Sequence, residues 1–291
     1  MQALLITAYK DKEQLIRLIK NNCKYFMIYL HIDEKSTINV NEIESLNLDH
    51  VKVIKTFRID WGGYNHLLAI IALLKLAVNN NHVSYIHIIS GQDMLIRSHN
   101  EFEQRFSETK LIYMNCIDKS SFSETIRHRL ERFVITSNLD SRKRIIRCIN
   151  SITYIFQSLT GGKRRGLGGI TDVYKGVVWC SFPIDVAHFV LQYIDETPQF
   201  MKDLRHTNVS EEFFFQTLIM NSKFRKNVIP NNLRYTDWRY KNGSSPAILD
   251  ETDFYKIINS DAFFARKIDS VISSKLTALI EDSFYTMPLN M

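Results

Sequence analysis

The chain has 291 residues, 45% hydrophobic, 12% aromatic and 23% charged, with 10 Gly and 5 Pro. This composition excludes disordered, collagen-like and low-complexity classes and leaves enough chain for a sizeable core. A net charge of +6 and a pI near 9.0 suit an anionic ligand, an anionic membrane surface or nucleic acid, without choosing among them.

The elements read as follows in chain order. Ala3–Ala8 is a continuous apolar run, the pattern of a buried strand; it is too short for a signal peptide and has no basic residues before it. Residues 12–20 carry Leu15, Ile16, Leu18 and Ile19 at helical spacing, and Tyr25–Ile32 is a second strand. Residues 51–57 alternate, Tyr64–Val78 is a strong helix, and Val83–Ile89 is a strand. A short helix follows from Asn100, expected as its cap, to Phe106, then a strand over 111–114. Strand–helix alternation predicts a mostly parallel sheet covered by helices, with ligands at the carboxyl ends of the strands. The segments there are polar and small: Tyr9-Lys10, Asp33 to Ser36, Arg58 to Gly63, and Ser90 to Asp93.

Residues 124–159 are strongly basic, and Arg142–Leu159 reads as an isoleucine-rich helix. Its isoleucines pack on the core, or they face an anionic membrane interface. Residues 161–169 hold five of the ten glycines beside Lys163, Arg164 and Arg165, and are read as a basic lid loop or an insertion; the loop is neither a Walker A nor a GxGxxG motif. A strand over 176–182, a helix over 184–194, and a helix over 211–221 with Ser210 as N-cap follow. Residues 231–253 read as loop, and 270–282 as a terminal helix. Without a repeat or linker, the chain is expected to form a single compact domain. The longest apolar stretch, 67–78, contains Lys75 and falls short of a membrane span of about 20 residues.

Several chemistries lack their residues. The four cysteines are far apart, with no CxxC, as for free thiols in a reducing compartment. The sequence has no HExxH, no Asp-x-Asp to hold Mg or Mn, and no GxSxG elbow. On residues alone, Trp61-Gly62-Gly63 is equally a tight strand-to-helix turn or a helix N-terminus that receives a ligand. Asp93 reads as a turn residue, the Arg266-Lys267 pair as solvated surface, and Glu211-Glu212 as first-turn carboxylates matched to the helix dipole.

Taken together, His31-Ile32-Asp33-Glu34-Lys35-Ser36, Trp61-Gly62-Gly63, Ser90-Gly91-Gln92-Asp93, Gly176-Val177-Val178-Trp179, Ser210-Glu211-Glu212-Phe213-Phe214-Phe215-Gln216-Thr217, Asn231-Asn232-Leu233-Arg234 and Phe263-Phe264-Ala265-Arg266-Lys267 follow one another in this order. The set resembles glycosyltransferase family 14, the Core-2/I-branching enzymes and peptide O-xylosyltransferases. It spans residues 3 to 269, and the C-terminal motifs are closer to the xylosyltransferase branch.

The resemblance implies an α/β, GT-A-like fold: a nucleotide-sugar-binding half over about 1–115, and an acceptor and catalytic half over 116–291. It implies a UDP-sugar donor, of xylose or N-acetylglucosamine type, and inversion at the anomeric carbon without a metal or other cofactor. Glu212 falls on the family's catalytic base, and Arg266 and Lys267 on the pair that holds the donor diphosphate. Ala8, Asp33, Trp61, Gly62, Gly63 and Asp93 fall on the donor side; Trp179, Arg234, Asp237 and Trp238 fall on the acceptor side. Tyr9 stands where relatives often have His. Eukaryotic members carry a lumenal anchor and disulfides, which are not expected here, so their glycoprotein acceptors are not carried over; a prokaryotic type is expected. It would be cytoplasmic or peripheral at the inner membrane face, acting on a glycan or lipid-linked glycan and not on nucleic acid. Transfer to a peptide Ser, and a non-catalytic nucleotide-sugar- or glycan-binding protein, stand as alternatives.

Overall fold

A computed structural model of the chain describes residues 1–164 and 166–284; Arg165, within the basic loop, lies outside the described residues. In chain order the first half contains β1 (Gln2–Ala8), α1 (Lys12–Asn22), β2 (Phe26–Ile32), α2 (Val40–Glu44), β3 (Val51–Ile54), α3 (Tyr64–Val78), β4 (Tyr85–Ser90), β5 (Asp93–Leu95), α4 (His99–Phe106) and β6 (Ile112–Tyr113). The second contains β7 (Ile117–Asp118), α5 (Glu124–Glu131), α6 (Arg144–Leu159), β8 (Tyr174–Lys175), β9 (Ser181–Pro183), α7 (Ile184–Glu196), α8 (Pro198–Arg205), α9 (Glu211–Met220), β10 (Val228–Ile229), β11 (Arg234–Thr236), α10 (Phe254–Ile258), β12 (Phe264–Arg266) and α11 (Ser274–Phe284).

The main sheet has the order β10-β6-β9-β4-β1-β2-β3. Strands β3, β2, β1 and β4 are parallel, and β9 is antiparallel to both of its neighbours. The α/β, mostly parallel architecture expected from the strand–helix alternation is therefore the observed one.

Every residue of β1 is buried, because helices cover both faces of the sheet. Side chains alternate between the two faces. Ala3 and Leu5 pack with Leu67, Ile70 and Leu74 of α3 on one side, and Leu4 and Ile6 with Leu15, Leu18 and Ile19 of α1 on the other. A second sheet, β11-β12-β5, covers a separate cluster that includes Met94, Leu249, Ile257, Leu276 and Ile280. It holds the Arg266 region against the carboxyl ends of the main strands.

Four expectations change. Residues 231–253, read as loop, contain β11, which pairs in parallel with β12. The strand read at 176–182 is confined to Ser181–Pro183. Gly176 lies outside any strand: its nitrogen bonds to the Glu212 carbonyl, and a Cβ there would lie 1.9 Å from the Asn115 oxygen. The cap of α4 is Ser98, in a capping box with Glu101, and not Asn100. Ser210 is itself helical and makes no side-chain cap bond to α9.

Candidate active site

β1, β2 and β4 end side by side, and their carboxyl ends bring Ala8, Asp33 and Ser90 to one edge. The Ala8 carbonyl accepts the Asp33 N–H at 2.8 Å, and the Thr7 carbonyl accepts the Gly91 N–H at 3.0 Å. A Cβ on Gly91 would sit 2.9 Å from Ala8 Cβ, so glycine lets these ends close up. Asp33 is 4% exposed, and its carboxylate accepts the Lys35 and Ile59 N–H groups at 2.9 and 3.2 Å. It shapes the loop ends of the cleft through the backbone.

Beyond this edge, Arg266 of β12 lies opposite Asp93 of β5 in the antiparallel register. Their ion pair is 2.9 Å long, and Asp93 is fully buried. The second Asp93 oxygen accepts the Ser90 N–H at 2.6 Å. Asp93 thus positions Arg266 and the β4 end and presents no surface to a sugar. The Arg266 guanidinium lies over the Trp179 ring, 4.4 Å from its centroid. Lys267 follows, its Nζ bonded to Ser244 at 3.2 Å. Burial, then the neighbouring Arg266 and Lys10 charges, push the Lys267 pKa down. Arg266 against its single buried carboxylate, with Lys267 and Lys10 acting on one another beside it, leaves a positive excess that an anion would relieve.

Trp179 connects this cationic corner to α9. Its ring centroid is 6.0 Å from that of His66, whose Nδ1 is 3.2 Å from Glu211 Oε1 and whose Nε2 is 3.4 Å from Thr7 Oγ1. Helix α9 is placed by Phe213, Phe214 and Phe215, all fully buried and each worth about 1.5–3 kcal/mol. That burial fixes the first turn, where Glu212 Oε2 meets Lys175 Nζ at 2.6 Å and Arg129 at 3.9 Å. Burial raises the Glu212 pKa above that of an ordinary glutamate; Lys175 and Arg129 oppose the rise, and Glu211 adds to it. A partly exposed carboxylate of raised basicity can accept a proton.

The remaining sequence candidates take different places. Gly62 has φ +72°, and Cβ atoms at Gly62 and Gly63 would collide with Asn208 Oδ1 at 2.6 Å and the Asp60 carbonyl at 2.8 Å. The Tyr64 N–H is taken by Ser137 O at 2.8 Å. The glycines therefore build the tight turn, and the start of α3 donates to protein, while Trp61 stays 47% exposed beneath Arg142. Arg234 is not placed to meet an acceptor: it is buried and donates to the Ile88 and Cys180 carbonyls and Ser181 Oγ at 2.8–3.0 Å, clasping β4 to β9. Asp237 is held by Arg239, whose hydrogen bonds bring its pKa down to about 2. Trp238 is exposed on the loop that borders Lys267, on the cationic side of the cleft.

Two contributors, His66 and Lys175, were not singled out from the sequence; Lys10 stood in the polar segment after the first strand and Arg129 in the basic stretch 124–159, neither with a role at the site. His66 had one usable signal, a histidine in the first turn of α3 directly after the Trp61-Gly62-Gly63 turn. Among the described residues, no group of three or more His, Cys, Asp or Glu side chains is placed to hold a metal ion. A cleft of about 660 Å³ lined by Ile170, Phe189, Tyr193, Leu218 and Lys223 lies at the far end of α9 from Glu212.

With this geometry in place, the family follows. The profile of the Core-2/I-branching enzymes matches residues 3–258, and the chain belongs to that family. The chain is similar to xylosyltransferase oxt of Drosophila melanogaster, 23% identical over 280 residues that cover 88% of this chain and 30% of that protein. It is also similar to xylosyltransferase 2 of Rattus norvegicus, 22% identical over 297 residues, covering 96% and 32%. The chain therefore spans about a third of the length of these relatives. A solved structure of the galactosyltransferase LgtC, in complex with donor and acceptor sugar analogs, aligns over 98% of both chains at 9% identity, with a TM-score of only 0.37. No helix among the described residues is long and apolar enough to cross a membrane.

Proposed function

We propose that the chain is an inverting, metal-independent glycosyltransferase that moves a sugar from a UDP-sugar to a hydroxyl of a glycan or lipid-linked glycan. One observation carries this reading: a cationic corner of Arg266, Lys267 and Lys10 is joined through Trp179 and His66 to Glu211, the chain neighbour of Glu212 in the first turn of α9. Family membership and the relatives' names support the class of reaction, and make UDP-xylose the first donor to test.

In this mechanism Glu212 takes the proton of the acceptor hydroxyl as its oxygen attacks the sugar C1. The bond from C1 to the diphosphate oxygen breaks on the opposite face, and its electron pair leaves with UDP. Arg266 and Lys267 stabilise the charge that grows on the leaving diphosphate, most strongly in the transition state. Arginine forks onto two phosphate oxygens, and lysine acts as a point charge. Two fixed cations take the place of a metal at that position. The Trp179 face away from Arg266 offers a flat apolar surface to the transferred sugar or the acceptor. The four cysteines, free in the structure, accord with work in a reducing cytoplasm.

The test is a UDP-sugar panel scored by thermal shift and donor turnover. A ligand that binds the native state must raise the melting temperature. Lys267→Ala should weaken the UDP shift, whereas Glu212→Gln should keep the shift and lose turnover. No shift with any UDP-sugar, and none with UDP, would refute the donor assignment.

A further inference from the structure

The surface of α6 is unlike that of the other helices. Ile146 and Asn150 face inward, and the loop before the helix is stitched to this side. Thr136 Oγ1 donates to Asn150 Oδ1 at 2.7 Å, and Gln157 bonds both the N–H and the carbonyl of Phe133 at 2.8 and 2.9 Å. The apolar stripe lies on the other side. Ile145, Ile152, Ile155, Phe156 and Leu159 are 62–82% exposed. At about 100° per residue they fall, with Cys148 and Ile149, inside an arc of about 120°. The neighbouring loop adds Phe133, Ile135 and Leu139, exposed by 41%, 65% and 48%. The alternative that these isoleucines pack on the core is therefore removed.

Charge decides what covers the stripe. From Ser141 to Thr171 the sequence contains no Asp or Glu and seven Lys or Arg. At the same spacing Arg144 lies about 20° beyond one edge of the stripe and Arg147 about 80° beyond it, both exposed, and Lys143 and Lys163 are exposed at its two ends. Arg144, Arg147 and Lys163 form no ion pair among the described residues. A second copy of the chain would set these cations against their own equivalents, a like-charge contact that opposes association. Nucleic acid would neutralise them and leave the isoleucines in water. An anionic bilayer satisfies both, with headgroups at the arginines and acyl chains at the stripe.

We propose that α6, with the 133–139 loop beside it, docks the protein on the surface of an anionic lipid bilayer. The helix is about 24 Å long, enough to lie in the interface but not to span it. Its first turn begins beside the donor-side turn, where Arg142 lies 5.6 Å from the Trp61 ring centroid. Docking therefore brings the bilayer to the rim of the candidate active site, within reach of an acceptor carried on a lipid.

Flotation of the full chain with phosphatidylcholine vesicles, with and without phosphatidylglycerol, tests the proposal. The expected result is binding to the anionic vesicles alone, weakened by high salt. Ile152→Ser/Ile155→Ser/Phe156→Ser should abolish it. Arg144→Gln/Arg147→Gln should weaken it about thirty-fold, the combined effect of two cations at the surface. All five side chains are exposed, so folding should survive, and circular dichroism with the UDP thermal shift checks that it does. Failure to bind anionic vesicles overturns the proposal. So does a wild-type dimer that the triple serine variant converts to a monomer, because a second copy would then be the occupant. The UDP shift does not depend on vesicles, so a failure of docking leaves the reading of the active site standing.

Discussion

Arg266→Met should separate what the Asp93–Arg266 pair does for the fold from what it does for the donor. Asp93 is 0% exposed, with one oxygen 2.9 Å from Arg266 Nε and the other on the Ser90 N–H. Removing the guanidinium leaves a buried carboxylate with a single backbone donor. Breaking a buried pair in this way costs about 3–5 kcal/mol. For a chain of this size that lowers the melting temperature by about 6–20 °C. Asp93→Asn/Arg266→Met removes both charges and should recover most of the loss. It should not recover affinity for UDP, because the cation proposed to face the diphosphate is still missing. Melting curves of wild type and both variants, with and without UDP, read the two effects on one instrument. If Arg266→Met melts within a degree or two of wild type, the pair does not hold the fold. If the double variant binds UDP as wild type does, Arg266 does not hold the diphosphate.

Glu212→Gln should lower turnover by roughly a hundredfold or more with little change in the UDP thermal shift, and a near-wild-type rate would remove Glu212 as the base. Lys175→Met removes a charge that lowers the Glu212 pKa, so the acid limb of the pH–rate profile should move to higher pH; an unmoved limb would mean that Glu212 does not set it. Turnover should persist in excess EDTA, and its loss on chelation with recovery on adding Mn or Mg would end the metal-independent reading. His31 is fully buried, and burial lowers its pKa to about 4, so the native state stays neutral while the unfolded chain takes up a proton below about 6.5. Its stabilising contribution is complete above that value and falls away towards pH 4, with about 2 kcal/mol lost by pH 5. Urea unfolding at pH 7 and pH 5 checks this, and equal midpoints would contradict it.

The sheet was legible because its strands are buried on both faces and read as unbroken apolar runs, as Ala3–Ala8 does. Helix α3 was legible to the residue, bounded by Gly63 before it and Asn79 after it. Short elements were not. Segments such as β8 and β10 are two residues long and are defined by partners distant in sequence, which periodicity does not encode. The same limit applied to the site. Arg234 and Arg266 look alike as basic residues after apolar runs, yet one fastens three main-chain segments and the other lies over Trp179 at the cleft. The direction of the α6 stripe was equally hidden, because a helical moment gives the contrast between faces and not which of them meets the core.

Glu212 shows how the local sequence and the tertiary setting divide the chemistry. Its place in the first turn of α9 favours the ionised carboxylate, since the helix N-terminus carries partial positive charge. In the fold, burial acts in the opposite direction and is the largest influence on its pKa, with Lys175 and Arg129 pulling it back. A base needs both. An exposed first-turn glutamate would be ionised but too weakly basic to draw a proton from a sugar hydroxyl, and a buried one without cations would already be protonated at neutral pH. Lys175 reaches Glu212 because Gly176 is pinned to the Glu212 carbonyl, so the glycine that interrupts the expected strand also sets the basicity of the carboxylate. Gly176→Ala, whose Cβ would strike Asn115 O, should therefore displace Lys175 and shift the pH–rate profile in the same direction as Lys175→Met. A profile unchanged in a folded Gly176→Ala protein would break that connection.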